Sequence, residues 1–207
     1  MKRSGYHFVP GKLWLIRHRC HAGSALFKDR VDRRRWMYWL FQARRRFGLS
    51  VLNFVVLPHE VQLLVADRGR GEIPCSMQLI ARSMATDYNR RNKRQGAFWE
   101  GRYRSTRMQA GASLPELLVT MDLEIVLAHC AKHPYGWRES GFFELQYPPA
   151  RARRLDINAL QRWLNPLDLN QLQQQRRLWV RGALKAHNQQ RQANCAAKSL
   201  SVAGHNV

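Results

Sequence analysis

Apolar positions recur along this chain with two different periods, and their alternation predicts the order of the elements. Residues 13–17 form a short apolar run that follows a Pro-Gly pair and predicts a first strand. From about residue 32 to 47, apolar side chains return every three or four positions, which predicts a helix ended by Gly48. Residues 51–56 and 61–66 are rich in β-branched side chains and predict two adjacent antiparallel strands.

The second half of the pattern continues in the same way. The breaks at Gly69, Gly71 and Pro74 predict a loop. A helix is predicted next by the stripe Met77, Ile80, Met84 and Tyr88, and it runs into the basic residues 89–94. Residues 102–109 alternate well enough for a further strand. A capping box, Ser113 to Glu116, then opens a third helix that Pro134 is expected to stop.

This order predicts an α+β fold, a ferredoxin-like antiparallel sheet with helices on one face, over residues 8–150. After about residue 148 the composition shifts to Arg, Gln and Asn. We expect a basic helical extension over 151–188, with helices at 157–164 and from the N-cap Asp168 to residue 186. Residues 189–207 lack an apolar period, which predicts a disordered tail.

Charge narrows the class of partner. Lys and Arg number 35 against 14 Asp and Glu, a formal net charge of +21 in 207 residues, and the excess is spread over many short clusters. Such a distribution favours an extended polyanion, and nucleic acid is the economical choice. The four cysteines form no CxxC pair, no apolar run has transmembrane length, and no apolar segment follows the basic N-terminus. We therefore expect a cytoplasmic protein with reduced thiols and no membrane partner.

Two motifs resemble a known family of DNA-processing proteins. The segment NFVVLPHEVQLLV, residues 53–65, is similar to the VLMPNHVHLLV strand of the REP-associated tyrosine transposases. The stretch YNRR, residues 88–91, followed by GAFWEGRYRS, residues 96–105, resembles their YNRR…G-x-x-WxGRYKS pattern. A weaker match places DLEI, residues 122–125, where the family has YIEL. The resemblance covers about residues 8–165 and implies the fold of the HUH single-strand endonucleases.

The resemblance also implies a chemistry whose residues have changed here. In the family, a His-hydrophobic-His (HUH) pair holds Mg²⁺ or Mn²⁺, and a tyrosine attacks the scissile phosphate. Glu60 and Gln62 occupy the two histidine positions, and Asp122 occupies the probable tyrosine position. Residues two apart on a strand share a face, so both oxygen-bearing side chains remain possible ligands of Mg²⁺ or Mn²⁺. Otherwise no cofactor is expected.

No side chain replaces the nucleophile convincingly. No tyrosine occurs between Ser113 and Pro134, Thr120 is an alkyl alcohol, and attack by Asp122 would leave a labile acyl phosphate. Tyr103 is a remote alternative, since the family motif makes it a DNA-facing or packing aromatic. A separate zinc site is conceivable at His129 and His133, four apart on the third predicted helix, although no third ligand accompanies them.

The sequence therefore predicts a DNA-binding protein related to these transposases, which recognises structured single-stranded DNA and has lost strand cleavage. One alternative is an active transposase with a substituted metal site, and another is an RNA-binding basic protein. The wider class acts as monomers or dimers, which leaves a homodimer open. The predicted DNA-binding side chains combine basic groups with one aromatic ring: Arg90, Arg91, Lys93, Arg94, Arg102, Tyr103 and Arg104.

Overall fold

Two strand–helix–strand units form one four-stranded antiparallel sheet in the computed structural model, which describes residues 8–165 and 168–203, with side chains as far as residue 194. The sheet order is β2-β3-β1-β4, the ferredoxin-like arrangement that the sequence predicts. The elements of the two units follow one another as β1 (Leu13–Arg19), α1 (Arg30–Phe47), β2 (Ser50–Val56), β3 (Glu60–Ala66), α2 (Glu72–Arg91) and β4 (Arg104–Arg107).

The two faces of the sheet are covered to different extents. Phe54 of β2 packs against Trp36 of α1, so α1 and α2 cover the face formed by Phe54 and its cross-strand partner Leu63. The neighbouring Asn53 points to the opposite face, where its amide meets Asp122. This second face is covered over β2 by the C-terminal helices, a layer that the prediction of helices on one face did not include.

Within the described residues, four α-helices follow the sheet. They are α3 (Leu114–Leu127), α4 (Gly141–Gln146), α5 (Ile157–Leu164) and α6 (Leu169–Ala203), with short 3₁₀ helices at His21–Gly23 and Pro134–Gly136. The helix α5 has the predicted bounds, and Asp156 caps it by accepting from the Ala159 N–H. Leu172 and Val180 of α6 are buried, so the basic extension packs against the preceding helices.

Several predicted boundaries are wrong for physical reasons. Pro74 lies in the first turn of α2 instead of a loop, because a proline there removes an N–H that has no helical partner anyway. The helix α3 ends at Leu127, well before Pro134, and His129 follows it with a φ of 55°. The strand β4 is shorter than residues 102–109.

The C-terminal helix is also longer than predicted. The sequence indicates a helix as far as residue 186 and a disordered tail from 189, whereas α6 continues to Ala203. The end of that predicted tail, residues 204–207, lies outside the described residues. Within the described ranges, no helix has the length and apolar character needed to cross a bilayer.

Candidate nucleic-acid interface

An open cleft lies over β1 and β4, on the half of the second sheet face that the C-terminal helices leave uncovered. Arg17 of β1 faces Arg104 of β4 across the strand pair, and Leu15 faces Thr106. Side chains at alternate strand positions share a face, so Arg19 lies on the same side as these residues. The cleft has a volume of about 550 Å³, and its lining comprises Leu15, Arg17, His18, Arg19, Glu100, Gly101, Arg102, Arg104 and Thr106.

The loop before β4 is fixed by two buried aromatic rings. Phe98 and Trp99 are both buried, and the Trp99 Nε1–H donates to the Ala81 carbonyl of α2 at 3.0 Å. The Glu100 N–H donates to the Arg19 carbonyl, which continues the pairing of the loop with the end of β1. Trp99 is therefore a packing residue, and its anchorage brings Arg102 to the rim of the cleft.

His18 borders the cleft from the opposite face of β1, and it adds no positive charge there. Its ring stacks on Trp99 at 3.8 Å between centroids, and its Nε2 lies 2.9 Å from the Gly101 carbonyl. Since a carbonyl only accepts, Nε2 carries the proton, and the buried Nδ1 has no hydrogen-bond partner among the described residues. Burial lowers the pKa of His18 to about 4, so the ring is neutral at pH 7.

The four cleft arginines differ in how far acidic groups compensate them. Arg19 Nε donates to Glu60 at 3.2 Å, and an Arg17 guanidinium nitrogen lies 3.8 Å from Glu124. Arg102 and Arg104 are exposed and form no ion pair with any acidic group in the described ranges. The Arg17 Nε is buried, and no residue in the described part of the chain accepts a hydrogen bond from it. Hydrogen-bonding capacity therefore remains at the centre and the outer rim of the cleft.

Glu60 and Gln62 lie on the neighbouring strand, beside the arginines. Gln62 is the cross-strand partner of Arg17, and Glu60 is the partner of Arg19, so both point to the cleft face. The Gln62 amide donates to Glu60 Oε1 at 2.7 Å, while Arg19 occupies the second carboxylate oxygen. The exposed His59 precedes β3.

These residues do not fit a divalent metal site. Mg²⁺ and Mn²⁺ take several oxygen ligands, with carboxylates supplying the protein charge. Of the two positions only Glu60 is a carboxylate, and it is shared between an arginine and an amide. The nearby Glu124 pairs with Arg17, whose guanidinium lies alongside. In the described part of the chain, no three His, Cys, Asp or Glu side chains come together in a way that would hold a metal.

Asp122 is enclosed at the other end of the same sheet face. Its side chain is fully buried, and Arg176 of α6 donates to both carboxylate oxygens, at 2.8 and 3.1 Å. Asn53 of β2 donates to the same carboxylate at 3.2 Å. Burial raises the pKa of Asp122, and the Arg176 guanidinium together with the Asn53 amide opposes that rise. The carboxylate thus joins α3, α6 and β2 and has no access to solvent.

The two alternative nucleophiles, Thr120 and Tyr103, are engaged in other contacts. The Thr120 hydroxyl donates to the Glu116 carbonyl of its own helix at 2.8 Å. Tyr103 is half-buried, and its ring lies edge-on to His18 with centroids 6.2 Å apart.

The remaining predicted DNA-binding residues lie at the end of α2, away from the cleft. Arg91 forms an ion pair with Asp32 of α1, and Arg90 pairs with Asp87. Arg94 donates to the Asn89 side chain and to the Ala97 carbonyl, which fixes the loop after the helix. Lys93 is exposed. The structure therefore brings Arg102, Tyr103 and Arg104 close to the cleft, whereas the α2 group mainly joins elements of the fold.

The zinc geometry suggested by His129 and His133 is absent. Because α3 ends at Leu127, the two side chains are not one turn apart on a helix. His133 Nδ1 instead accepts from the Tyr135 N–H at 3.1 Å and caps the 3₁₀ helix.

Arg17, Arg19 and Arg176 are the residues that sequence reasoning missed. The two-residue spacing of Arg17 and Arg19 within a predicted strand places them on one face, and that was a usable signal. Arg176 lies in an Arg- and Gln-rich segment, but it is four residues after Leu172 and four before Val180. That spacing places it on the buried stripe of a helix, unlike Arg177, and was a second usable signal.

Comparison with known proteins supports the fold. Neither a scan of protein-family models nor a search of curated proteins finds a match to this chain. A solved structure of the REP-associated tyrosine transposase bound to a REP hairpin aligns with a TM-score of 0.56 at 13% identity, over 70% of this chain and 84% of that chain. A candidate transposase from Deinococcus radiodurans R1 aligns at 0.41 and 18% identity, over 63% and 100%. The first similarity shows a shared fold, and the second is too weak to support a conclusion.

Proposed function

We propose that this protein binds structured single-stranded DNA, such as a hairpin, through the arginine cleft over β1 and β4, and that it does not cut the strand. The observation that carries the proposal is the cleft itself. Four arginines line an uncovered sheet face, and two of them, Arg102 and Arg104, have no acidic partner among the described residues. Guanidinium groups suit phosphates because they present several donors in a planar fork.

The shared fold supports the choice of partner. The REP-associated tyrosine transposase with this fold is bound to a REP hairpin. The net charge of +21 favours a polyanion independently of that likeness. Binding through phosphates predicts that the affinity falls linearly with salt on logarithmic axes.

The proposed loss of cleavage is supported by the contacts of Glu60 and Asp122, which occupy a metal-ligand position and the nucleophile position in the family that the chain resembles. Glu60 is committed to Arg19 and Gln62, and Asp122 is committed to Arg176 and Asn53. A nucleophile needs access to the phosphate, and Asp122 is fully buried. Divalent-dependent attack would require both networks to be broken.

Incubation with an end-labelled DNA hairpin in Mn²⁺ tests both halves of the proposal. One sample is run on a native gel and its duplicate on a denaturing SDS gel. We expect a shifted complex on the first gel, and neither a covalent adduct nor a shortened strand on the second. An adduct or cut strand that disappears in Glu60→Ala would establish the active transposase instead. Stronger binding to an RNA hairpin of equal length would favour the RNA-binding alternative.

A further inference from the structure

The C-terminal helix α6 carries its exposed cations on one side, and no Asp or Glu occurs between residues 169 and 203. At 3.6 residues per turn, four cations, which we call the α6 stripe, fall within about 120° of the helix circumference: Arg177, Arg181, Lys185 and Arg191. All four are exposed, and no acidic group in the described ranges forms an ion pair with any of them. Their positive charge is therefore available to a partner.

The second half of α6 extends beyond the body of the protein. Arg176 donates to the Leu118 carbonyl of α3, whereas Trp179 and Ala183 line a cleft that reaches back to Ser113, the N-cap of α3. The two helices therefore run antiparallel, and α6 passes the start of α3 near Ala183. Residues 188–194 are all exposed, so tertiary packing does not stabilise them.

The stripe weakens a helix that already lacks packing. Isolated helices of this length are marginal in water. Like charges four residues apart destabilise a helix further, and Arg177, Arg181 and Lys185 follow one another at that spacing. A polyanion along the stripe would neutralise this repulsion and stabilise the helix, which gives the segment a reason to bind one.

The geometry of the stripe favours double-stranded DNA among polyanions. It spans 14 residues, about 21 Å of straight helix, which is the length of about six base pairs. Single-strand sites combine cations with stacking aromatic rings, and no Phe, Tyr or Trp lies on the stripe. The exposed residues 188–194 are mainly Asn and Gln, whose amides donate to phosphate and sugar oxygens and leave no apolar face for a membrane.

We propose that α6 is a second DNA-binding element, whose stripe contacts the phosphates of double-stranded DNA without reading the base sequence. The inference goes beyond the proposed function, because no residue of α6 lines the arginine cleft. The two surfaces are separate, so one protein molecule holds a hairpin in the cleft and a duplex along α6 at the same time.

The test titrates a labelled blunt DNA duplex, longer than the stripe and free of hairpins, with the full chain and with three triple variants. The α6 variant is Arg181→Gln, Lys185→Gln and Arg191→Gln, since glutamine removes the charge and keeps a similar helix propensity. A charge-keeping variant exchanges Arg and Lys at the same three positions.

The matched control removes the same charge from exposed positions on the other side of the sheet. Its changes lie on α1 and α2 and are Arg34→Gln, Arg35→Gln and Arg82→Gln. A hairpin with a stem shorter than the stripe, added in excess, reports whether the two DNAs compete for one surface.

We expect the α6 variant to bind the duplex roughly tenfold or more weakly and to reduce the logarithmic salt slope by about 2 to 3, close to one for each lost phosphate contact. The control variant should change affinity and slope much less, and the charge-keeping variant should bind as the full chain does. Excess short hairpin should leave the duplex bound.

Equal losses in the α6 and control variants would show a general attraction of charge, and displacement of the duplex by the short hairpin would place both DNAs in the arginine cleft. Either result overturns the inference, as does tighter binding of an RNA duplex of equal length. A full chain that binds the hairpin but no duplex refutes the role of α6 alone. One that binds the duplex but no hairpin refutes the proposed function and leaves this inference standing.

Discussion

Two regions of the second sheet face differ in how their charged side chains are compensated. Over β1 and β4, Arg102 and Arg104 are exposed and lack acidic partners in the described part of the chain. Over β2, Arg176 and Asp122 are buried and satisfy one another. The difference follows from coverage, because a charge enclosed by α3 and α6 needs an internal partner, whereas a charge facing solvent does not. The open end can therefore bind a partner, and the closed end stabilises the fold.

The largest effect is expected from Asp122→Ala. It leaves the Arg176 guanidinium buried without a counter-ion, which should lower the free energy of unfolding by about 3–5 kcal/mol in chemical denaturation. The exposed neighbour Arg177 supplies the control, and Arg177→Met should change stability by less than about 0.5 kcal/mol. The double variant Asp122→Leu with Arg176→Met should recover most of the loss. A stable single variant would mean that the cluster is not what joins α6 to the sheet.

The pH dependence of stability tests a third position, the buried His18 on the sheet face opposite the open cleft. The pKa of His18 is lowered from 6.5 to about 4 in the folded protein, so the unfolded chain binds more protons between these values. The contribution of neutral His18 to the free energy of unfolding is complete above pH 6.5 and is lost as the pH falls towards 4. It amounts to about 3 kcal/mol at most. His18→Gln, which does not titrate, should flatten that part of the profile. Parallel profiles for the two proteins would contradict a buried neutral His18.

Removing the uncompensated arginines should impair binding without affecting folding. Arg102→Ala with Arg104→Ala should weaken hairpin binding roughly ten- to a hundredfold and reduce the logarithmic salt slope by about 1.4 to 1.8. Arg34→Ala with Arg35→Ala is the control, since these exposed side chains lie on α1, across the sheet, and the change in net charge is the same. Equal losses in both double variants would show that overall charge, and not the cleft, drives binding.

The smallest effect is expected from Glu60→Ala, which tests whether Glu60 acts as the counter-ion of Arg19 or as a metal ligand. Glu60→Ala releases Arg19 into the cleft, which should tighten hairpin binding about two- to fivefold. The affinity of both proteins should be the same in Mn²⁺ and in EDTA. Weaker binding of the variant, seen in Mn²⁺ alone, would instead mean that Glu60 holds a metal bound with the DNA.

Local patterns predicted most of the sheet and the first two helices, since alternation and helical periodicity are properties of short segments. Gly48, for example, ends α1 in the left-handed conformation, as its position indicated. The end of α3 was missed because no local signal follows Leu127. The pairing of Arg176 with Asp122 joins residues 54 apart, and side-chain identity alone does not reveal such a contact. For the same reason the sequence placed Arg91 and Arg94 in one DNA-binding set with Arg102 and Arg104, although Arg91 pairs with α1 and Arg94 fixes the following loop.

Photocrosslinking of a hairpin substituted with iodouracil, followed by mass spectrometry of the linked peptides, tests the central claim most directly. The account predicts crosslinks within residues 15–19 and 102–106, and their loss on competition with unlabelled hairpin. Crosslinks confined to residues 89–94 at the end of α2, or to α6, would place the DNA elsewhere and contradict the assignment of the arginine cleft.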